Sequence, residues 1–137
     1  MAIALLADTQ VLIWYVREPN RLSSTARDAL ETAIANGDAI AVSAFSIVEI
    51  VYATEKAKNP LTLDDLAAIR SVLADPASPF EVVALDEESA AHVQSVPRSA
   101  NADPGDRIIV STAEILRVPI VSSDGKFPLM TSLTIVW

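Results

Sequence analysis

Four carboxylates stand where strands and helices of this sequence are predicted to meet. Asp8 directly follows the first apolar run, and Asp124 follows a later one. Asp106 falls in the first turn of one predicted helix, and Glu49 lies early in another. Mg²⁺ and Mn²⁺ take oxygen ligands, and a bound ion can activate water and orient a phosphate. The set therefore predicts a divalent-metal site, although the spacing alone does not identify a nuclease.

Each of these acids also has an ordinary structural interpretation. Asp8 could cap a helix, and Asp124 with Gly125 could form a turn. Asp106 could be an ordinary first-turn acid that the helix dipole stabilises. Glu49 could lie on a solvated helix face, but it stands among four apolar neighbours, where a carboxylate is costly to bury unless it is paired or liganded. The four acids together are more specific than any one of them.

The elements that would position these acids alternate along the chain. Short apolar runs bounded by Pro, Gly and Ser are typical of buried strands, and amphipathic stretches with capping residues are typical of helices. Strands are predicted at residues 3–7, 39–42, 80–85, 119–122 and 133–136. Helices are predicted at residues 9–16, 24–35, 45–58, 62–73, 86–96 and 104–116.

This order predicts an α/β fold, with a single α/β/α sandwich of residues 1–137 built on a mainly parallel sheet of about five strands. Sites in such sheets form at the carboxyl ends of the strands, near the point where the strand order reverses. We therefore expect all four acids to converge at one edge of the sheet.

The composition limits the possible partners and compartments. The chain of 137 residues carries a net charge of -8, whereas proteins that bind nucleic acid mainly through phosphates are usually basic. Hydrophobic residues make up 51% of the chain, which favours apolar surface kept for a partner. The absence of cysteine, of a convincing signal peptide and of a membrane-length apolar run predicts a cytoplasmic protein with no membrane partner.

Three segments of the sequence resemble the PIN domain family, and within it the VapC-type toxins of bacterial toxin–antitoxin pairs. The opening LLADTQVLIWYV is similar to the family's first strand and first acid, here Asp8. SAFSIVEIVYATEK is similar to the segment that carries the family's Glu, here Glu49. DPGDRIIVSTAEILRVPIVSSD is similar to the helix and strand that carry the third and fourth acids, Asp106 and Asp124. The resemblance runs over nearly the whole chain.

Two departures from that family pattern bear on the site. Gln10 stands where the branch usually has His, so any contribution of that His is lost. Ser122 replaces the usual Thr two residues before the last acid, and the hydroxyl remains. All four acids are present.

The resemblance implies an endoribonuclease that depends on Mg²⁺ or Mn²⁺ and acts as a toxin. It implies that the four acids hold the metal directly or through water, and that a metal-bound water or hydroxide attacks the phosphodiester in line. It also implies a homodimer with an RNA substrate, inhibited by a cognate VapB-type antitoxin whose tail lies across the active-site groove.

Other residues are candidates for supporting roles. The residues placed to support the acids are Thr9, Asp103 and Ser122, of which Asp103 is best explained as the N-cap before Pro104. Because the acidic chain needs a local basic rim to meet RNA, the candidate phosphate contacts are Lys56, Arg107 and Lys126.

Other classes of protein with acids at strand ends fit the same residues less well. A haloacid-dehalogenase-like phosphatase would have a second Asp at position 10, where Gln10 stands. A response-regulator receiver domain would have an acidic pair near the first strand, which does not fit. The single histidine, His92, makes a Ser-His-Asp triad implausible. The alternative that stays open is a catalytically inactive PIN module that binds RNA or a protein partner.

Overall fold

A computed structural model describes residues 2–137 of the chain. The strands are β1 (Ile3–Ala7), β2 (Ala39–Ser43), β3 (Phe80–Val83), β4 (Ile120–Val121) and β5 (Ile135–Val136). The helices are α1 (Thr9–Arg17), α2 (Ser24–Ala35), α3 (Ala44–Glu55), α4 (Leu63–Ala74), α5 (Glu87–His92) and α6 (Pro104–Leu116). Short 3₁₀ turns lie at Pro19–Arg21, Val93–Ser95 and Phe127–Leu129.

The five strands form one sheet in the order β3-β2-β1-β4-β5, and every neighbouring pair is parallel. The sequence predicted a mainly parallel sheet, and the observed sheet is parallel throughout. The chain begins in the middle of the sheet, builds outward through β2 and β3, and returns to add β4 and β5 on the other side of β1. The strand order therefore reverses between β1 and β4, and this is the switch point at which α/β proteins place their sites.

The sheet is buried on both faces, as its continuous apolar strands predicted. Along β1, Leu5 and Ala7 belong to one core cluster, whereas Leu6 belongs to the other. The first cluster includes buried side chains of α1, α2, α3 and α4, and the second includes those of α6. The predicted α/β/α sandwich is confirmed.

The helix starts follow the capping residues in the sequence. The side chain of Asp8 caps α1, and that of Asp103 caps α6 with Pro104 at the next position. At α4, Thr62 and Asp65 satisfy each other's backbone N–H groups and so form a capping box. These caps fix where each helix begins relative to the strand or loop before it.

The end of α3 differs from the prediction, which extended this helix to residue 58. The helix ends at Glu55, and Lys56 has extended backbone angles. The chain then reverses through Asn59, which has a positive φ of 48°, and the backbone N–H of Leu61 donates to Ala53 O at 3.0 Å. The return of Leu61 to the core therefore ends the helix three residues early.

Within residues 2–137, no helix combines the length and the apolar character that crossing a membrane requires.

Candidate active site

The four acids found in the sequence line one open cleft at the carboxyl edge of the sheet. Its volume is about 390 Å³, and Thr9, Gln10 and Ile13 of α1 form one wall. The other lining residues come from the end of β1, from α3 and α6, and from the loop after β4. The acids of this cleft are Asp8, Glu49, Asp106 and Asp124. Residues separated by up to 116 positions in sequence thus face the same volume because β1 and β4 are adjacent.

Asp8 is the most deeply placed of the acids, with only 6% of its surface exposed. Its Oδ1 accepts a hydrogen bond from the backbone N–H of Val11 at 2.8 Å, and the Ser122 hydroxyl donates to its Oδ2. Burial raises the pKa of Asp8 to about 6, and the charges of Asp106 and Asp124 raise it to a smaller extent. The two hydrogen bonds oppose this rise. A bound cation would offset this desolvation and repulsion.

Glu49 projects from α3 toward α1 and the start of α6. The Thr9 hydroxyl donates to Glu49 Oε1 at 2.6 Å and is itself hydrogen-bonded to the Ser46 hydroxyl at 2.8 Å. Burial raises the pKa of Glu49, as do the charges of Asp106, Asp103 and Asp8 to a smaller extent. The carboxylate that the sequence places among apolar residues therefore has a hydrogen-bond donor, the Thr9 hydroxyl of α1.

Asp106 lies in the first turn of α6 and faces the mouth of the cleft. The side-chain amide of Asn101 donates to its Oδ2 at 2.7 Å, and its backbone N–H donates to Asp103 Oδ1 at 3.1 Å. Burial raises the pKa of Asp106, and the negative charges of Asp103 and Asp124 raise it further. Asp103 is thus the N-cap that the sequence predicted, and it adds negative charge beside the cleft.

Asp124 lines the cleft three residues after the end of β4, directly after the Ser122–Ser123 pair. The Ser122 hydroxyl accepts a hydrogen bond from the backbone N–H of Asp124 at 3.0 Å, so one side chain orients both Asp8 and Asp124. The ammonium group of Lys126 lies 3.9 Å from Asp124 Oδ2 and 4.0 Å from Asp106 Oδ2.

Two of the three basic residues predicted at the rim are placed differently from the prediction. Arg107 Nη2 donates to the backbone carbonyls of Val93 and Val96 at 3.0 and 2.9 Å, so its guanidinium fastens α6 to the 3₁₀ turn after α5. Lys56 lies past the end of α3 with extended backbone angles, so it does not continue the helix that carries Glu49. Among these three, only Lys126 contacts acids of the cleft in the described residues.

Two residues that shape the cleft, Gly105 and Asn101, were not predicted from the sequence. A Cβ on Gly105 would lie 2.7 Å from Glu49 Oε2 and 3.1 Å from the Phe45 ring, so a side chain at this position would force the Glu49 carboxylate to move. A glycine inside the first turn of a helix is unfavourable by propensity, which was the available signal. Asn101 fell in a predicted loop, and no pattern in the sequence connected it to Asp106.

The donor set of the cleft fits a hard divalent cation. Carboxylate oxygens are the preferred ligands of Mg²⁺ and Mn²⁺, which commonly keep several waters beside one or two carboxylates. Among the described residues, no three acidic or histidine side chains are grouped closely enough to hold one ion together in this arrangement. The raised pKa values of Asp8, Glu49 and Asp106 show carboxylates crowded at a partly desolvated site.

An apolar cavity adjoins the acidic cleft across Glu49. It has a volume of about 370 Å³ and is lined by Phe45, Val48 and Tyr52 of α3 and by the Asp103–Gly105 start of α6. Val48 is 45% exposed and Tyr52 is 70% exposed. An apolar surface and an acidic surface therefore lie side by side.

The chain matches the family model described as PIN domain over residues 5–131. It is 32% identical over 108 residues to Ribonuclease VapC22 of Mycobacterium tuberculosis, a match that covers 79% of this chain and 77% of the relative. The chain therefore belongs to the PIN domain family, in its VapC-type branch.

Solved structures show the same fold at lower sequence identity. The chain superimposes with a TM-score of 0.71 and 14% identity on a chain of VapBC2 from Rickettsia felis bound to a DNA fragment from its promoter, covering 97% of both chains. It superimposes with a TM-score of 0.70 and 19% identity on a chain of DNA-bound VapBC from Salmonella typhimurium, covering 97% of this chain and 96% of that one.

Proposed function

We propose that this protein is an endoribonuclease of the cytoplasm that depends on Mg²⁺ or Mn²⁺ and acts as the toxin of a toxin–antitoxin pair. The observation that carries the proposal is the convergence of four carboxylates on one cleft, three of them with raised pKa values. The family of the chain also supports the proposal, because the chain is a PIN domain with 32% identity to a ribonuclease.

The carboxylates that would hold the ion are Asp8, Glu49, Asp106 and Asp124. An ion bound there would activate a water for in-line attack on the phosphodiester and stabilise the charge of the leaving oxygen. The chain's own part is to hold the carboxylates ready. Ser122, Thr9 and Asn101 each donate a hydrogen bond to one acid, which fixes its orientation before substrate arrives.

Positive charge near the mouth would help an acidic protein meet the RNA backbone. Lys126 stands at the cleft, and Lys56 is an exposed lysine beyond α3, so both stay candidates for phosphate contacts. Arg107 is withdrawn from this set because its guanidinium is engaged with backbone carbonyls. Few basic contacts predict modest RNA affinity that falls with salt.

The partner proposed is a VapB-type antitoxin. The apolar cavity beside Glu49 and the acidic cleft together favour a segment that offers an apolar side chain next to a basic one. The structural neighbours from Rickettsia felis and Salmonella typhimurium both carry the name VapBC, which is consistent with this partner. We also propose that the toxin is a homodimer, as its exposed apolar side chains favour.

The test is cleavage of end-labelled tRNA and rRNA from the host by the purified protein. Reactions contain Mg²⁺ or Mn²⁺, or EDTA, and compare the wild type with Asp8→Asn. Asp28→Asn is the matched control, because Asp28 is an exposed acid of α2 outside the cleft. We expect discrete cuts by the wild type and by the control that disappear in EDTA and in Asp8→Asn.

Other results would contradict the proposal in different ways. Cuts that persist in EDTA and in Asp8→Asn would show that the observed cleavage does not come from a metal site that includes Asp8. Absence of cutting by folded, metal-loaded protein across host RNA pools would overturn the enzyme and favour the alternative, a catalytically inactive PIN module that binds RNA or a protein partner.

A further inference from the structure

Lys126 places a positive charge between two of the four acids. Its Nζ lies 4.0 Å from Asp106 Oδ2 and 3.9 Å from Asp124 Oδ2, nearly equal distances to carboxylates of two different elements. Its positive charge lowers the pKa of Asp106, whereas the negative charges of Asp103 and Asp124 raise it. One ammonium group thus partly neutralises the mouth of the cleft.

The backbone of Lys126 is fixed beside the acids by hydrogen bonds from its N–H and to its carbonyl. Its N–H donates to Asp124 Oδ1 at 2.9 Å, and its carbonyl accepts from the N–H of Leu129 at 3.1 Å. Asp124 therefore contacts Lys126 twice, with Oδ1 at the backbone N–H and with Oδ2 near the ammonium group. The lysine is anchored at its backbone and tethered beside the acids.

The ammonium contact itself is weak enough to be replaced. The Lys126 side chain is 56% exposed, and both distances are long for an ion pair. Exposed pairs of this kind stabilise proteins little, because water and salt screen them. A divalent ion with inner-sphere carboxylate oxygens would displace the ammonium from the same oxygens.

Resting on the metal site proposed above, we propose that Lys126 is a built-in counter-cation that competes with the divalent ion for Asp106 and Asp124. It neutralises the pair while the cleft is empty and must move out when metal binds. The lysine therefore lowers the affinity for metal and limits the repulsion that would otherwise destabilise the metal-free protein.

The test measures Mn²⁺ binding by calorimetry in metal-free wild type, Lys126→Gln, Lys126→Arg and Lys58→Gln. Lys58→Gln removes the same charge from an exposed lysine outside the cleft, so it reports the effect of net charge alone. We expect Lys126→Gln to bind Mn²⁺ more tightly by about 3- to 10-fold, the size expected for losing two exposed ion pairs. Lys126→Arg and Lys58→Gln should stay within about twofold of wild type.

A second readout is thermal stability. Without metal, Lys126→Gln should melt below wild type, and at saturating Mn²⁺ its melting temperature should rise more than that of wild type, since tighter binding stabilises the folded state. Equal Mn²⁺ affinity in Lys126→Gln and wild type, or weaker affinity in the variant, would overturn the competition while leaving the metal site in place. Failure of all four proteins to bind Mn²⁺ would overturn the proposed metal site and the competition together.

Discussion

Gly105 and Glu49 lie so close that a Cβ on the glycine would come within 2.7 Å of Glu49 Oε2. The first turn of α6 therefore forms part of the surface against which the Glu49 carboxylate rests. Any side chain at position 105 would displace that carboxylate from its place beside Thr9.

We expect Gly105→Ala to lower RNA cleavage by at least about 10-fold with little change in melting temperature, because misplaced catalytic groups cost rate. The gain of about 1 kcal/mol in helix propensity offsets part of the steric strain. Gly125→Ala is the control, since open space surrounds that glycine. Cleavage rates and thermal melts of both variants check this prediction, and full activity in Gly105→Ala would contradict it.

Asp8 is predicted to limit the stability of the metal-free protein. A rise in pKa from 3.8 to about 6 means that ionising Asp8 opposes folding, by about 3 kcal/mol at neutral pH. The stability present below pH 4 is lost as the pH rises to about 6, because the folded protein holds the proton longer than the unfolded chain.

Asp8→Asn should therefore abolish cleavage and raise the free energy of unfolding at pH 7.5 in EDTA by about 1–2 kcal/mol, since the amide keeps only one acceptor oxygen. Urea unfolding at several pH values measures the difference between variant and wild type. The difference should grow between pH 4 and pH 6 and stay constant above. A variant less stable than wild type at pH 7.5 would show that the hydrogen bonds of Asp8 outweigh its desolvation.

Ser122 is predicted to set the pH at which Asp8 ionises. Its hydroxyl donates to Asp8 Oδ2 and accepts from the backbone of Asp124, and the bond to Asp8 lowers the Asp8 pKa. Ser122→Ala should shift the acid limb of the cleavage profile to higher pH and cost about 1–2 kcal/mol of stability. Ser122→Thr keeps the hydroxyl and should restore the wild-type profile. Identical profiles for all three proteins would remove Ser122 from this role.

Arg107 is predicted to stabilise the fold without contributing to RNA affinity. Arg107→Met leaves the carbonyls of Val93 and Val96 without their donor, which should lower the free energy of unfolding by about 1–3 kcal/mol. Arg98→Met removes the same charge from an exposed arginine and should leave stability unchanged. The salt dependence of RNA binding should be the same in both variants. A shallower slope for Arg107→Met alone would restore Arg107 as a phosphate contact.

The sequence was sufficient to predict the fold and the convergence of the acids for identifiable reasons. Buried parallel strands such as Ile3–Ala7 leave continuous apolar runs that few other structures produce. The start of α6 could be predicted because Asp103 and Pro104 are residue types that favour the N-cap and the first position of a helix. The placement of Asp8 and Asp124 at one edge then follows from the rule that parallel strands end on the same side.

What the sequence could not predict depends on contacts between distant elements. The guanidinium of Arg107 reaches carbonyls more than ten positions away, and nothing local distinguishes it from a solvated charge. The hydrogen bond between Thr9 and Glu49 joins residues 40 positions apart. The predicted end of α3 was wrong because the helix was extended to the breaker pair Asn59-Pro60, whereas the return of Leu61 to the core ends it at Glu55.

The central position of β1 has a consequence for how the protein is made. Since β1 pairs with both β2 and β4, one of its edges stays unpaired until residues near 120 have been synthesised. Synthesis proceeds at roughly 5–20 residues per second, so this interval lasts on the order of ten seconds. Asp8 and Asp124 cannot meet during that time, so the proposed metal site stays incomplete until residue 124 has left the ribosome.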